Sequence, residues 1–157
     1  MIKRNLRLRA ATILCLAVLG CGPSYEVVDH VYDPDQSDLE NLLGEWVCVD
    51  AVTAGKPAPD LVGGAIEFEK DLIYLKAQPR NNKWVQSGYV LETEQDPKRI
   101  VINATPHGAG IPRVWVELYR FEDGSLVISR TGDHEVPYSF DSTPETGYSL
   151  LTYKRVK

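Results

Sequence analysis

The residues best able to do chemistry in this chain are its three cysteines, Cys15, Cys21 and Cys48, and a few charged residues set among apolar ones. Cys21 has the most specific surroundings. A basic stretch with Lys3, Arg4, Arg7 and Arg9 and no acid precedes the apolar run Ala10 to Leu19, and Val18-Leu19-Gly20-Cys21 closes it. As a helix that run is roughly 15 Å long, about half of a hydrocarbon core of roughly 30 Å. It is too short to span a bilayer and fits the core of a signal peptide. The four closing residues resemble the bacterial lipobox: Gly20 is the small residue before the cut, and Val18 is apolar three positions before the cysteine. Leu19 is bulkier than usual there. The chemistry this pattern serves is transfer of a diacylglyceryl group to the Cys21 thiolate. Cleavage then frees the new N-terminus for acylation. Each buried methylene contributes about 0.8 kcal/mol, so two or three acyl chains anchor a protein stably. Residues 1–20 are therefore read as a lipoprotein signal peptide and Cys21 as the lipidated residue. Gly22 is not Asp, so the inner-membrane retention signal of well-studied diderm bacteria is missing; the expected location is the outer membrane, facing the periplasm.

The other candidates carry less. Cys15 leaves with the signal and Cys21 is blocked by lipid, so Cys48 has no intramolecular partner and no disulfide is expected. One free thiol also excludes a cysteine-rich metal site. Cys48 reads as a small buried hydrophobe, since no cationic neighbour in the sequence would activate it. Asp133-His134-Glu135 is the densest group of metal-ligand types, but consecutive strand residues alternate faces and cannot converge on one ion. The sequence has no Gly-x-Ser-x-Gly elbow and no phosphate-cradling loop. Glu117 and Arg130 are the remaining pair: if they face each other inside a barrel, they form a structural ion pair or a polar handle for a ligand. No catalytic constellation, metal site or cofactor motif emerges, and an enzyme is not expected.

Charge narrows the partners. The chain holds 17 Lys and Arg against 22 Asp and Glu; without residues 1–20 the basic count falls to 13, leaving a net charge near −9. Such a surface repels nucleic acid and anionic headgroups. The expected partners are the membrane, through the lipid on Cys21, and a small apolar ligand.

The elements that must position these residues follow from turn and periodicity signals. Residues 21–36, with Glu26, Asp29, Asp33, Asp35 and no Lys or Arg, read as an acidic, solvated tether. Its Tyr25, Val27, Val28, Val31 and Tyr32 are more apolar than a spacer needs, so part of it is expected against the domain. Ser37-Asp38-Leu39-Glu40 is a capping-box pattern that starts a short helical turn, stopped at Gly44. Residues 37–157 then read as β: strands around Trp46 to Val52, Ala65 to Glu69, Leu72 to Ala77, Lys83 to Glu94, Ile100 to Ile102, Val114 to Phe121, Leu126 to Arg130 and Tyr148 to Val156. No helical pattern is long enough for a parallel crossover, so pairing should be antiparallel. Eight such strands close into a barrel or, less simply, form an open sandwich. At Asp123-Gly124, a type I′ turn pairs Phe121 with Leu126, Tyr119 with Ile128 and Glu117 with Arg130. A type I turn with a bulge would set Leu118 against Ile128. The first register, which gathers the large apolar pairs on one face, is the expected one.

Gly44-Glu45-Trp46 after a helical turn is similar to the Gly-x-Trp on the first strand of lipocalins, and Arg155 matches the arginine that covers that Trp from the last strand. A guanidinium over an indole, worth roughly 0.5–2 kcal/mol, would tie first strand to last. More closely, residues 42–157 resemble an uncharacterised domain family abundant in planctomycete exported proteins. The matching segments are Leu43-Gly44-Glu45-Trp46, Gly55-Lys56-Pro57, Asp96-Pro97-Lys98, the hairpin around Asp123-Gly124 and Tyr153-Lys154-Arg155. The family's Arg-Pro step is replaced here by Val136-Pro137. The resemblance implies an eight-stranded lipocalin-like barrel and no known activity. Two functions follow from a barrel: a lipid-anchored module with a small apolar ligand in its lumen, or a filled barrel that presents its surface to other envelope components. Interior volume separates them.

Overall fold

In a computed structural model, residues 25–76, 84–104, 113–132 and 135–157 are described. Eight antiparallel strands form a closed barrel. They are β2 (Gly44–Thr53), β4 (Ala65–Phe68), β5 (Leu72–Lys76), β6 (Val85–Glu92), β7 (Arg99–Ala104), β8 (Arg113–Glu122), β9 (Ser125–Arg130) and β10 (Ser149–Val156). Each pairs with its neighbour in sequence, and β10 returns to pair with β2. Two short strands add to this frame: β1 (Val27–Val28) on β10 and β3 (Lys56–Pro57) on β2. The sandwich alternative is excluded by the β10–β2 ladder, which runs from Ser149 opposite Thr53 to Arg155 opposite Trp46. Closure leaves neither terminal strand with a bare edge.

The helical turn is α1 (Asp38–Leu42), with both hydrogen bonds of the capping box made: Ser37 Oγ accepts from the Glu40 amide, and Glu40 accepts from the Ser37 amide. The Asp-Gly hairpin adopts the type I′ register, with Tyr119 opposite Ile128 and Phe121 opposite Leu126. Asp123 and Gly124 both have positive φ, 48° and 70°, as that turn requires.

Strand alternation sorts the side chains. Trp46, Cys48, Ile66, Phe68, Ile73, Tyr89, Ile100, Ile102, Tyr119, Leu126, Ile128, Leu151 and Tyr153 form one buried core cluster inside the barrel. Leu118, Val127 and Ser129 have the opposite strand parity yet are also buried. The connection leading to β10 covers them: the Ser129 hydroxyl donates to the Ser139 carbonyl at 2.9 Å, and the Arg120 guanidinium sits 4.3 Å over the Phe140 ring.

As its apolar residues led one to expect, part of the stretch before α1 lies against the domain, although most of its side chains stay exposed. From Glu26 to Asp33 it is fixed along one end of the barrel. The Lys157 amide donates to the Glu26 carbonyl at 3.0 Å, Val27 and Val28 pair with Val156 and Arg155, and the His30 amide donates to Gly124 at 2.9 Å. Two of its acids meet basic partners near the end of the chain: Asp29 pairs with Lys154 and Glu26 with Lys157. This strap and α1 floor one end of the barrel. The opposite end carries the longer connections.

Candidate functional site

Two places gather polar side chains: the interior toward the long connections, and the floored end.

In the interior, Glu117 lies on β8 with Trp115 and Tyr119 on the same face, and Arg130 ends β9 beyond Leu126 and Ile128. The hairpin register brings both to one small cavity, shared with Tyr153, Leu151, Ile66 and Leu75. Its volume is about 50 Å³, space for one or two water molecules. Glu117 and Arg130 share this cavity without a hydrogen bond or ion pair between them among the described residues, so the cross-strand ion pair read from the sequence is not made. Burial raises the pKa of the Glu117 carboxyl, and the Arg130 charge only partly opposes this. Burial likewise raises the Tyr153 phenol. Cys48, a free thiol, is buried beside them and pushed up to about 11, which keeps it neutral near pH 7.

At the floored end, the Gly-x-Trp and the distant arginine have a common geometric cause. A five-residue helix leaves its last carbonyls without helical partners. The Trp46 indole donates to the Leu42 carbonyl at 2.8 Å. The Arg155 guanidinium donates to the Leu43 and Asn41 carbonyls and lies 5.6 Å over the Trp46 ring. Gly44 has φ +113°, and a Cβ there would meet Arg155 Nη2 at 3.1 Å. Glycine thus suits the positive φ of the turn into β2, and its missing Cβ leaves the guanidinium room at the helix end.

His30 completes this floor. Its ring meets Trp46 edge-on at 5.1 Å and Phe121 at 5.2 Å. Nδ1 is 3.3 Å from Arg155 Nη1, and Nε2 is buried with no hydrogen-bond partner in reach among the described residues. Burial is the largest cause lowering its pKa below the ordinary 6.5; Arg155 adds to it and Asn41 opposes. A histidine with a depressed pKa gives stability that is complete above its unfolded value and is lost as pH falls toward the folded one. Thermal unfolding from pH 8 to pH 5 should therefore show a loss of stability beginning below about 6.5. His30→Phe, which keeps the ring contacts, should flatten that loss; an unchanged profile would assign it to other groups.

Beside the floor, Asp38 is a buried carboxylate at the first turn of α1. It accepts from Tyr119 Oη at 2.6 Å, Lys98 Nζ at 2.8 Å and Tyr32 Oη at 3.3 Å. Burial raises its pKa, but the bonds from Lys98 and Tyr119 outweigh this and the net direction is down. An open groove of about 670 Å³ adjoins it, walled by Tyr32, Phe121, Tyr138 and Phe140.

Of the residues singled out in the sequence, Cys21, Asp133 and His134 lie outside the described residues. The described residues contain no group of three possible metal ligands. His30, Asp38 and Lys98 are the functional-looking residues that sequence reasoning missed. Their partners lie up to 125 positions away, and only the capping box hinted that Asp38 sits at a helix start.

Together these features define the chain as a closed eight-stranded antiparallel barrel with a floored end. No family model matches the sequence, and no curated protein matches it. Among solved structures, the chain is similar to a DUF4909 family protein from Staphylococcus aureus subsp. aureus Mu50. The two are 11% identical with a TM-score of 0.39, over 71% of this chain and 96% of that one.

Proposed function

We propose that this is a lipoprotein of the bacterial cell envelope, anchored through Cys21, whose barrel is non-catalytic and works through its outer surface. The observation that carries the reading is the filled lumen. The cavity beside Glu117 and Arg130 within the described barrel holds only about 50 Å³, whereas a site for a small organic ligand needs about 300 Å³ or more. Trp46, Tyr119, Phe68 and aliphatic side chains occupy the space such a ligand would take. This favours the surface-presenting barrel over the small apolar ligand expected first. The aromatic groove beside Asp38 supports the same reading, because aromatic side chains with polar neighbours are enriched at protein contact surfaces. The lipobox-like Val18-Leu19-Gly20-Cys21 supports the anchor, and Gly22 supports the outer membrane. Kinship with the planctomycete exported domains belongs to the same proposal.

Native mass spectrometry of the full-length protein taken from membranes tests both halves. The expected mass is that of residues 21–157 plus acyl chains on Cys21, with nothing else retained. A co-purifying small molecule lost on unfolding would overturn the filled-barrel half. An unmodified Cys21, or a Cys21→Ser variant that still sediments with membranes, would overturn the anchor.

A further inference from the structure

Resting on the proposed lipidation of Cys21, we propose that the floored end of the barrel lies on the bilayer, with Val27, Val31 and Tyr32 in contact with lipid.

Chain length limits how far from the barrel Cys21 can lie. Five positions separate Cys21 from Glu26, whose carbonyl is already bonded to the Lys157 amide on the barrel. Fully extended, they reach roughly 18 Å at 3.3–3.6 Å per residue. From Glu26 onward there is no slack: Val27 and Val28 are in register with Val156 and Arg155, Asp29 is paired with Lys154, and His30 is bonded to Gly124. The anchor therefore emerges beside the floor. The opposite end lies a further eight strand residues away along β10, about 26 Å at a rise near 3.3 Å.

The surface beside the anchor has the matching character. Val31 is 83% exposed, more than any other large apolar side chain among the described residues, and Val27 and Tyr32 are 41% and 39% exposed. The floor makes no use of Val31, whereas it buries much of the neighbouring His30. Apolar side chains and a tyrosine at this depth suit the headgroup boundary. Charge selects the lipid. Glu26 and Asp29 are paired with Lys157 and Lys154, while Asp33 and Asp35 at the same end have no ion-pair partner among the described residues. The surface fits zwitterionic headgroups and is repelled by anionic ones.

The test uses the full-length lipidated protein in vesicles, with a fluorophore on a cysteine introduced as Val31→Cys or, at the opposite end, as Pro144→Cys. Cys48 is buried and its thiol weakly acidic, so it stays unlabelled. In phosphatidylcholine vesicles with nitroxide-labelled headgroups, quenching at position 31 should exceed that at 144 several-fold, and phosphatidylglycerol should reduce the difference. Equal quenching at the two positions, or stronger quenching at 144, would overturn the orientation. Quenching at 31 that rises with phosphatidylglycerol would overturn the zwitterionic preference. The mass of the same samples separates the two readings: an unacylated Cys21 brings down the anchor and the orientation together, whereas equal quenching on an acylated protein brings down the orientation alone.

Discussion

Replacing Trp46 by alanine should cost about 3–5 kcal/mol, the largest loss expected from any single side chain in the barrel. Three losses combine. A fully buried indole leaves a void at the centre of the floor, where it meets His30 and Phe121. The Leu42 carbonyl loses its donor. The Arg155 guanidinium loses the ring beneath it. A small domain has only about 5–15 kcal/mol of stability, so the variant should approach unfolding. Arg155→Ala should cost less, through the helix-end carbonyls and the uncovered ring. Because the two side chains touch, the double variant should lose less than the sum of the single losses, by roughly 0.5–2 kcal/mol. Urea denaturation of the four proteins measures this; strict additivity would mean that the Trp46–Arg155 contact contributes nothing to closure.

Asp38→Ala should follow, at about 1.5–3 kcal/mol, the range for a hydrogen bond to a charged group. The cost falls mainly on Tyr119, whose buried hydroxyl has no other partner among the described residues, because the half-exposed Lys98 can return to water. The sign with pH is fixed. The Asp38 carboxyl has a lowered pKa in the fold, so its contribution is complete above the ordinary carboxylate range and disappears as pH falls through the folded value. Asp38→Asn, which keeps the shape, should behave near neutral pH much as the native protein does in acid. Equal stability of Asp38→Ala and native protein at pH 7 would contradict this account.

The barrel was legible where the determining contacts are local or repeat along the chain. Eight apolar runs with short turns, the Asp123-Gly124 hairpin and the Ser37 capping box each depend on residues within about ten positions. Closure was legible for a different reason: Trp46 and Arg155 carry a resemblance that already links the two ends of the chain. What could not be read is whatever depends on where a flexible segment lands. The acids at Glu26 and Asp29 look like solvating charge until Lys157 and Lys154 are placed beside them. Nothing local marks His30, because Trp46, Phe121 and Arg155 are far from it in sequence. The interior pair shows the complementary limit. Register put Glu117 and Arg130 on the same face, but register does not set the lengths and rotamers that decide whether two charges meet.

The strap also moves the natural edge of the folding unit. A boundary drawn at the capping box, residue 37, would look safe, since the helix and all eight barrel strands follow it. Cutting there would uncover Trp46 and Phe121 and strip Arg155 of its histidine neighbour. It would also leave the last residues of β10 with unpaired backbone groups next to fresh apolar surface. Such a fragment has the makings of a sticky edge and should self-associate where the longer chain stays monodisperse. A single proteolytic nick between Val31 and Gln36 would leave the strap held only by its pairing with β10 and its bonds to Gly124, Lys154 and Lys157, so that its later loss would bare the same surface.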